Sequence, residues 1–434
     1  MMYGAKIALR STILFMLAGA IAVIGTVSRL RKLRYAESTK RDSFLLIRLD
    51  LLGDVVFALS AARGLKRRFP RSRVTIVTLP QTSEIAVSSP DVDEVITMDT
   101  NLVRSPRTLL RMDSIRRLRH SMADLRRNQY DAAISLYGRT ASLLALLSRS
   151  RETVGYRDEA YRGALDRTVN GGRASGTRRW HDSEFETVLL DAQCGREPPE
   201  VGAPAPRISL DPTAAGWVSK LLAESGIGSD DFVAVFHIGS GYGDFKRWPL
   251  PNFVELAHRL NVSGIRSVIA GGPGEEDPAA IVANASPAVS LAGRTSVREL
   301  IALLDRADVV ISGDSGPLHL ATALGTAAVA IFGPTDPIVN GPIAWNGQDV
   351  IVLRRDIACS PCYSVRTRAE CPLGDPICMR LVTLDEVFEA VRRVASRSFH
   401  GHLGHGGCAG IEDQLLVAKQ DTLQNAQRGK TRNK

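Results

Sequence analysis

The segment Val309–Pro337, VVISGDSGPLHLATALGTAAVAIFGPTDP, constrains the fold more than any other stretch of this chain. It opens as an apolar, β-branched strand and turns through Ser312-Gly313-Asp314-Ser315-Gly316-Pro317. A helical LHLATAL run follows, closed by Gly325, and then a second buried strand that ends at Pro334-Thr335-Asp336-Pro337. A strand–turn–helix–strand unit of this kind requires a crossover, and so a parallel sheet covered by helices. Its turn presents small residues and bare backbone N–H groups at a helix N-terminus. The N–H groups and the helix dipole both favour an anion there. Asp314 adds a carboxylate where sugar or ribose hydroxyls can bind. The segment therefore reads as a grip for a phosphorylated ligand.

The same alternation runs through most of the chain. A strand over Phe44–Leu49 leads into the turn Asp50-Leu51-Leu52-Gly53-Asp54 and a helix over Val55–Arg68, ended by Phe69-Pro70. Strand 74–79, helix 83–89, strand 94–98, helix 115–128 and strand 131–136 follow. After the Pro/Gly-rich stretch 199–206 the pattern restarts with strand 232–237, helix 251–261, strand 267–270, helix 296–305 and strand 309–311. The expectation is α/β with two doubly wound domains in tandem, the ligand between them at the strand C-termini. The expected domains are 43–205 and 206–397, with an anchor segment and basic linker over 1–42 and a disordered, Gly/His/Gln/Lys-rich tail over 398–434.

Charge is concentrated at one end. The chain of 434 residues carries a formal +9, and residues 1–41 hold eight Lys/Arg against the single acid Glu37. The high net charge thus reports a basic N-terminus, not a nucleic-acid-binding domain, and no zinc-finger or aromatic RNA-binding spacing is present. Ser11–Ser28 is uncharged; 18 helical residues rise roughly 27 Å, enough to cross a bilayer core. The heavier basic flank follows it, which predicts the main body in the cytoplasm. A cleaved signal peptide and a helix lying in the interface are the rival readings.

Several residue groups can carry chemistry, each with a plainer alternative. Asp54, in the first βα turn, suits proton abstraction from an alcohol, or it caps its helix. The loop His237-Ile238-Gly239-Ser240-Gly241-Tyr242-Gly243 allows close approach of phosphate, or is a flexible loop. Lys246 and Arg247 bring cations to the same edge, where a departing diphosphate needs neutralising, or form a solvated turn. Glu275, in GGPGEE, holds ribose hydroxyls or caps a helix. Asp91-Val92-Asp93 has the D-x-D form of some metal sites, or is a loop just before an edge-like strand, with no His nearby. Eight arginines over Arg104–Arg127 suit an anionic lipid surface or acceptor, or a solvated helix face. Cys359, Cys362, Cys371 and Cys378 have irregular spacing, compatible with a structural zinc site, a redox pair or four buried thiols.

Taken together, IRLDLLGDVVFALSAARGLKRRFP, HIGSGYGDFKRWPLPNF, IAGGPGEED and GDSGPLHLATALGTAAVAIFGPTDP resemble glycosyltransferase family 9, the ADP-heptose:lipopolysaccharide heptosyltransferases and their relatives, from about Phe44 to Val394. The CSPC…CPLGDPICM stretch also resembles one found in many members. The resemblance implies a GT-B fold, two Rossmann-like domains facing a cleft. It implies inverting transfer from a nucleotide sugar, with no cofactor and no obligatory metal. The partners it implies are a nucleotide-sugar donor and an anionic glycolipid acceptor at the inner-membrane surface. By matched motif, Asp54 is the general base and Lys246 stabilises the leaving diphosphate. Ser240 and the turn Asp314, Ser315, Gly316, Pro317, Leu318 and His319 hold donor phosphates and sugar, and Glu275 holds the ribose. The uncharged N-terminal segment and the polar tail are additions to the usual catalytic body.

Two other function classes fit less well. A nicotinamide-dependent oxidoreductase wants G-x-G-x-x-G in the first βα turn, where this chain has DLLGDVV. A non-catalytic nucleotide-sugar binder has no use for Asp54, Lys246 and Asp314 together.

Overall fold

The computed structural model describes residues 42–99, 112–170, 203–240, 243–363 and 370–402, with six isolated positions (25, 26, 181, 183, 189 and 190) in addition. They divide into two compact units. The first runs to Asp211 and takes in Ile338–Gly341; the second comprises Pro212–Pro337 and the chain from Pro342 onward.

The first unit alternates β1 (Ser43–Ile47), α1 (Leu52–Arg68), β2 (Arg73–Thr78), α2 (Ser83–Val87), β3 (Glu94–Thr97), α3 (Met112–Arg127), β4 (Ala132–Ser135), α4 (Arg139–Leu147), β5 (Glu152–Tyr156) and β6 (Arg167–Val169). All neighbouring strands are parallel, in the order β3-β2-β1-β4-β5-β6. β1 is central, with Leu45 opposite Thr75 on one side and Ala133 on the other. Phe44, Leu45, Leu46 and Ile47 have no exposure at all. That is why this strand reads as a continuous apolar run, since both faces are covered. Each such side chain contributes roughly 1.5–3 kcal/mol by burial. Lys66, Arg67 and Arg68 close α1, where cations complement the helix dipole.

The second unit contains α5 (Pro212–Glu224), β7 (Phe232–His237), α6 (Leu250–Val262), β8 (Ile265–Ala270), α7 (Glu276–Asn284), β9 (Val289–Ser290), α8 (Val297–Arg306), β10 (Val309–Gly313), α9 (Gly316–Leu324), β11 (Ala327–Phe332), β12 (Val350–Arg354) and α10 (Leu384–His402), with a one-turn helix over Ile377–Arg380; another, Pro337–Asn340, falls in the first unit from Ile338 on. Its strands are also all parallel, in the order β12-β11-β10-β7-β8-β9. With β7 counted first, this is the order of the first sheet. α8 opens on a capping box, in which Ser296 and Glu299 each satisfy the other's backbone N–H. α9 ends at Gly325 with φ of 96°, a conformation that favours glycine.

One expectation needs correction. The last helix continues to His402, five residues into the stretch read as a tail; the rest of 398–434 lies outside the described residues. The proposed anchor, 11–28, also lies outside them apart from Gly25 and Thr26. Among the described residues no helix is long and apolar enough to cross a membrane.

Candidate active site

In a sheet of this order, the crevice for ligands opens at the C-terminal ends of the two central strands, where the crossovers diverge. In the first unit these strands are β1 and β4. β1 runs directly into Arg48, whose side chain is 1 % exposed. Arg48 Nη2 donates to Asp54 Oδ1 at 2.5 Å, and its Nε lies 3.1 Å from Asp50 Oδ2. The ring of Tyr137, just beyond β4, has its centroid 5.3 Å from Arg48 Cζ. Asp54 sits in the first turn of α1, yet no side chain caps that helix. Its carboxylate accepts from the guanidinium, and the N-cap position itself is taken by Leu51. Sequence reasoning singled out Asp54 and missed Arg48, Asp50 and Tyr137. The available signal was a lone cation ending an apolar strand, FLLIRLD.

In the second unit the central strands are β7 and β10. Lys246 ends a single 3₁₀ turn, Asp244–Lys246, and is 7 % exposed. Its Nζ donates to Asp314 Oδ2 at 2.8 Å. His319 Nε2, one turn into α9, is 3.7 Å from Asp314 Oδ1. Gly313 makes this junction possible: a Cβ there would come within 3.1 Å of the Lys246 carbonyl oxygen. Burial works to raise the pKa of Asp314, and the His319 ring and the Lys246 ammonium outweigh it, lowering the value to about 2. Lys246 Nζ also lies 4.1 Å from the centroid of the Tyr363 ring. Arg247, its neighbour in sequence, points elsewhere, donating to the Ile238 carbonyl at 2.9 Å.

A second cluster lines the same edge. Glu275 Oε2 accepts from the Gly272 N–H at 2.7 Å and lies 3.5 Å from His237 Nε2. A methyl group on Gly239 would overlap Glu275 Oε1, 1.5 Å away, so the bare glycine is what seats this carboxylate. Burial opposes ionisation of Glu275, but His237, the Gly272 N–H and Arg247 together lower its pKa. His237 Nδ1 is 3.4 Å from Ser312 Oγ, which is 2.7 Å from Ser315 Oγ. The Ser240 hydroxyl oxygen is buried with no hydrogen-bond partner among the described residues.

The structure thus brings Lys246, Asp314 and His319 into one cluster, and links Glu275 through His237 and Ser312 to Ser315. Ser315 is the N-cap of α9 with extended backbone and makes no side-chain cap, which leaves the N–H groups at the helix start uncapped by it. Gly316 and Pro317 form the first turn. Leu318 is wholly buried in a cluster with Ala328, Ala330 and Phe332, so only its backbone can face a ligand. Sequence reasoning included His237 and Ser312 in the two ligand loops without a role for their side chains, and missed Tyr363; the contacts between them become visible only when the strand order is known.

Three other groups resolve into structure. Asp91 is fully buried and holds Arg207, while Asp93 accepts from Lys66 at 2.6 Å and from the Val74 N–H at 2.7 Å. Of the arginine-rich stretch, residues 104–111 lie outside the described residues; α3 carries the rest on a mostly exposed face, with only Ser114 and Leu125 buried. Cys359, Cys362, Cys371 and Cys378 are free thiols, and only Cys378 is buried, which excludes four buried thiols. Burial pushes the Cys378 thiol up to about 11. Among the described residues no group of three or more His, Cys, Asp or Glu is arranged to hold a metal ion.

Comparison with known proteins agrees with this layout. The chain is 26 % identical over 315 residues to lipopolysaccharide heptosyltransferase 2 of Salmonella typhimurium, covering 70 % of this chain and 86 % of that one. Its fold is similar to the crystal structure of a family 9 glycosyltransferase from Veillonella parvula, with TM-score 0.69, 21 % identity, and coverage of 83 % of this chain and 99 % of the other. It is also similar to the E. coli ADP-heptose lipopolysaccharide heptosyltransferase II, with TM-score 0.64, 20 % identity, and coverage of 82 % and 99 %. The two parallel six-stranded units are therefore those of the GT-B-like heptosyltransferases. The profile of glycosyltransferase family 9 (heptosyltransferase) matches residues 115–372, more than half of the sequence. The chain belongs to that family and is a glycosyltransferase.

Proposed function

We propose that this enzyme moves a heptose-like sugar from ADP-heptose or a related nucleotide sugar, with inversion, onto a lipopolysaccharide core or another surface glycolipid. The observation that carries the reading is the Lys246–Asp314–His319 cluster at the β7/β10 crevice, beside the uncapped start of α9. A buried ammonium oriented by a carboxylate, next to helical N–H groups, suits a diphosphate whose charge grows as its bond to sugar breaks. The acceptor hydroxyl gives its proton to Asp54. Its oxygen bonds to the anomeric carbon as the carbon–oxygen bond to phosphate breaks. The electron pair leaves with the diphosphate, which Lys246 neutralises. Attack opposite the leaving group inverts the anomeric centre. In this reading the Ser240 and Ser315 hydroxyls bind donor oxygens and Glu275 binds the ribose. The names of the relatives, lipopolysaccharide heptosyltransferases, support the donor and acceptor classes. The uncharged segment 11–28 and its basic flank support work at the cytoplasmic face of the inner membrane.

The test offers the purified full-length enzyme ADP-, GDP- and UDP-sugars with a truncated lipopolysaccharide core as acceptor. Product mass and anomeric coupling in NMR are read. Heptosyl transfer from the ADP-sugar with inverted configuration is expected. Transfer with retained configuration, or none with any donor, overturns the reading.

A further inference from the structure

Burying a guanidinium is costly unless it is paired on several sides. Arg48 is nearly inaccessible, and the structure supplies the pairing from two adjacent strand ends. From its own β1–α1 turn come Asp54 Oδ1 on Nη2 at 2.5 Å and Asp50 Oδ2 near Nε at 3.1 Å. From beyond β4 comes the Tyr137 ring. One rigid plane thus faces two carboxylates four residues apart, Asp54 through a hydrogen bond from Nη2 and Asp50 through an ion pair beside Nε. An ammonium has no such plane and cannot fix both. The two carboxylates are about equally exposed, 24 % for Asp54 and 26 % for Asp50, so each faces outward from a shared buried base.

We propose that Arg48 is the positioning residue for the proton-accepting carboxylate, its guanidinium locking Asp54 against Asp50 and Tyr137 so that the acceptor hydroxyl meets Asp54 in one orientation. The inference rests on the reading of Asp54 as the base. Arg48 itself touches no reacting atom: the acceptor O–H bond breaks, its proton passes to Asp54, and Arg48 keeps its own protons throughout. Asp50 acts as the counterweight. It forms an ion pair beside Nε of the guanidinium, and it places a like charge beside Asp54 that the guanidinium offsets.

The test compares Arg48→Lys, Arg48→Gln, Asp50→Asn and Asp54→Asn in the full-length enzyme, with kcat per folded molecule, donor affinity and the pH profile of kcat. Arg48→Lys keeps a cation and loses the fork; kcat is expected to fall by about 10²-fold with donor affinity within about threefold, because misorientation of a reacting group by an ångström costs that much. Arg48→Gln removes the charge as well, so the acid limb of the profile also moves to higher pH. Asp50→Asn removes the like charge and moves that limb the opposite way, to lower pH, with kcat within about tenfold. Wild-type kcat and an unmoved acid limb in both Arg48 variants, alongside an inactive Asp54→Asn, overturn the proposal and leave Asp54 as the base. Normal turnover in Asp54→Asn sinks the base reading itself. Should neither Arg48 variant fold, Asp50→Asn decides: an unmoved acid limb there overturns the proposal.

Discussion

At the crevice of the first unit, two carboxylates, Asp50 and Asp54, converge on one guanidinium; at the crevice of the second, an ammonium and an imidazole, Lys246 and His319, converge on one carboxylate. Each of the two crevice cations also faces a tyrosine ring, Tyr137 for Arg48 and Tyr363 for Lys246. The two sheets share one strand order, so topology decides where a site forms. Side-chain inventory decides its chemistry. In the proposed reaction the first arrangement receives a proton, and the second, beside the start of a helix, receives phosphate.

The comparison breaks most readily at Asp54. Asp54→Asn is expected to lower kcat by about 10²–10⁴-fold, the usual range for a general base, with donor affinity unchanged. Calorimetric titration with the nucleotide beside a steady-state assay checks both numbers. Near-normal turnover would remove the first unit from the chemistry. Lys246→Met is expected next in size, a loss of about 10²–10³-fold in the single-turnover rate with a smaller loss in donor Kd, because charge on the leaving group grows toward the transition state. A fall in affinity alone would make Lys246 a binding group and weaken the contrast between the two crevices.

Much of this was legible in the sequence. The strands and helices of both units follow from runs such as FLLI and VVISG, which are buried on both faces, and from Gly325 and Phe69-Pro70 as helix ends. The turn from Ser312 to His319 and the carboxylate of Asp54 were found because small residues and an acid at a strand end have few structural uses. What stayed hidden depends on strand order or on side-chain direction. β6 and β9 have three and two residues, too few for a period to show. Lys246 and Arg247 look interchangeable in the chain; the 3₁₀ turn sends one to Asp314 and the other to the Ile238 carbonyl. The contact of Glu275 with the Gly272 N–H is local to its loop, but its approach to His237 depends on β7 and β8 being neighbours.

An effect of intermediate size sets the second unit apart in acid. Asp314 has its pKa lowered from 3.8 to about 2 on folding. A depressed carboxyl stabilises the fold above its unfolded pKa, and that contribution disappears as pH falls from about 4 toward 2. The amount at stake is about 2 kcal/mol. Urea unfolding of wild type and Asp314→Asn, both in a Trp180→Phe background, followed by tryptophan fluorescence, isolates it, because the remaining Trp217, Trp248 and Trp345 all lie in the second unit. The stability gap between the two proteins should be constant from pH 5 to 7 and shrink by about that amount by pH 2.5. A gap independent of pH would mean that Lys246 and His319 do not hold Asp314 ionised.

The smallest expected effect lies in the two tyrosines, and it tests whether the paired rings do equivalent jobs. The Tyr363 ring lies 4.1 Å from Lys246 Nζ and 6.1 Å from the Phe245 ring, and its backbone N–H donates to the Pro334 carbonyl at 2.9 Å. Tyr363→Leu keeps apolar bulk and removes the π face. A cation–π contact is worth about 0.5–2 kcal/mol, so kcat/KM should fall by roughly fivefold. Tyr363→Phe should stay near wild type, since the ring face and not the hydroxyl meets the ammonium. Tyr137 lies farther from its cation, at 5.3 Å, and that cation is already fixed by two carboxylates. Tyr137→Leu should therefore cost less than Tyr363→Leu, within about twofold of wild type in kcat/KM. A larger loss at Tyr137 would show that the first crevice depends on its ring as much as on its carboxylates, and would shift the weight of acceptor orientation from Asp50 to Tyr137.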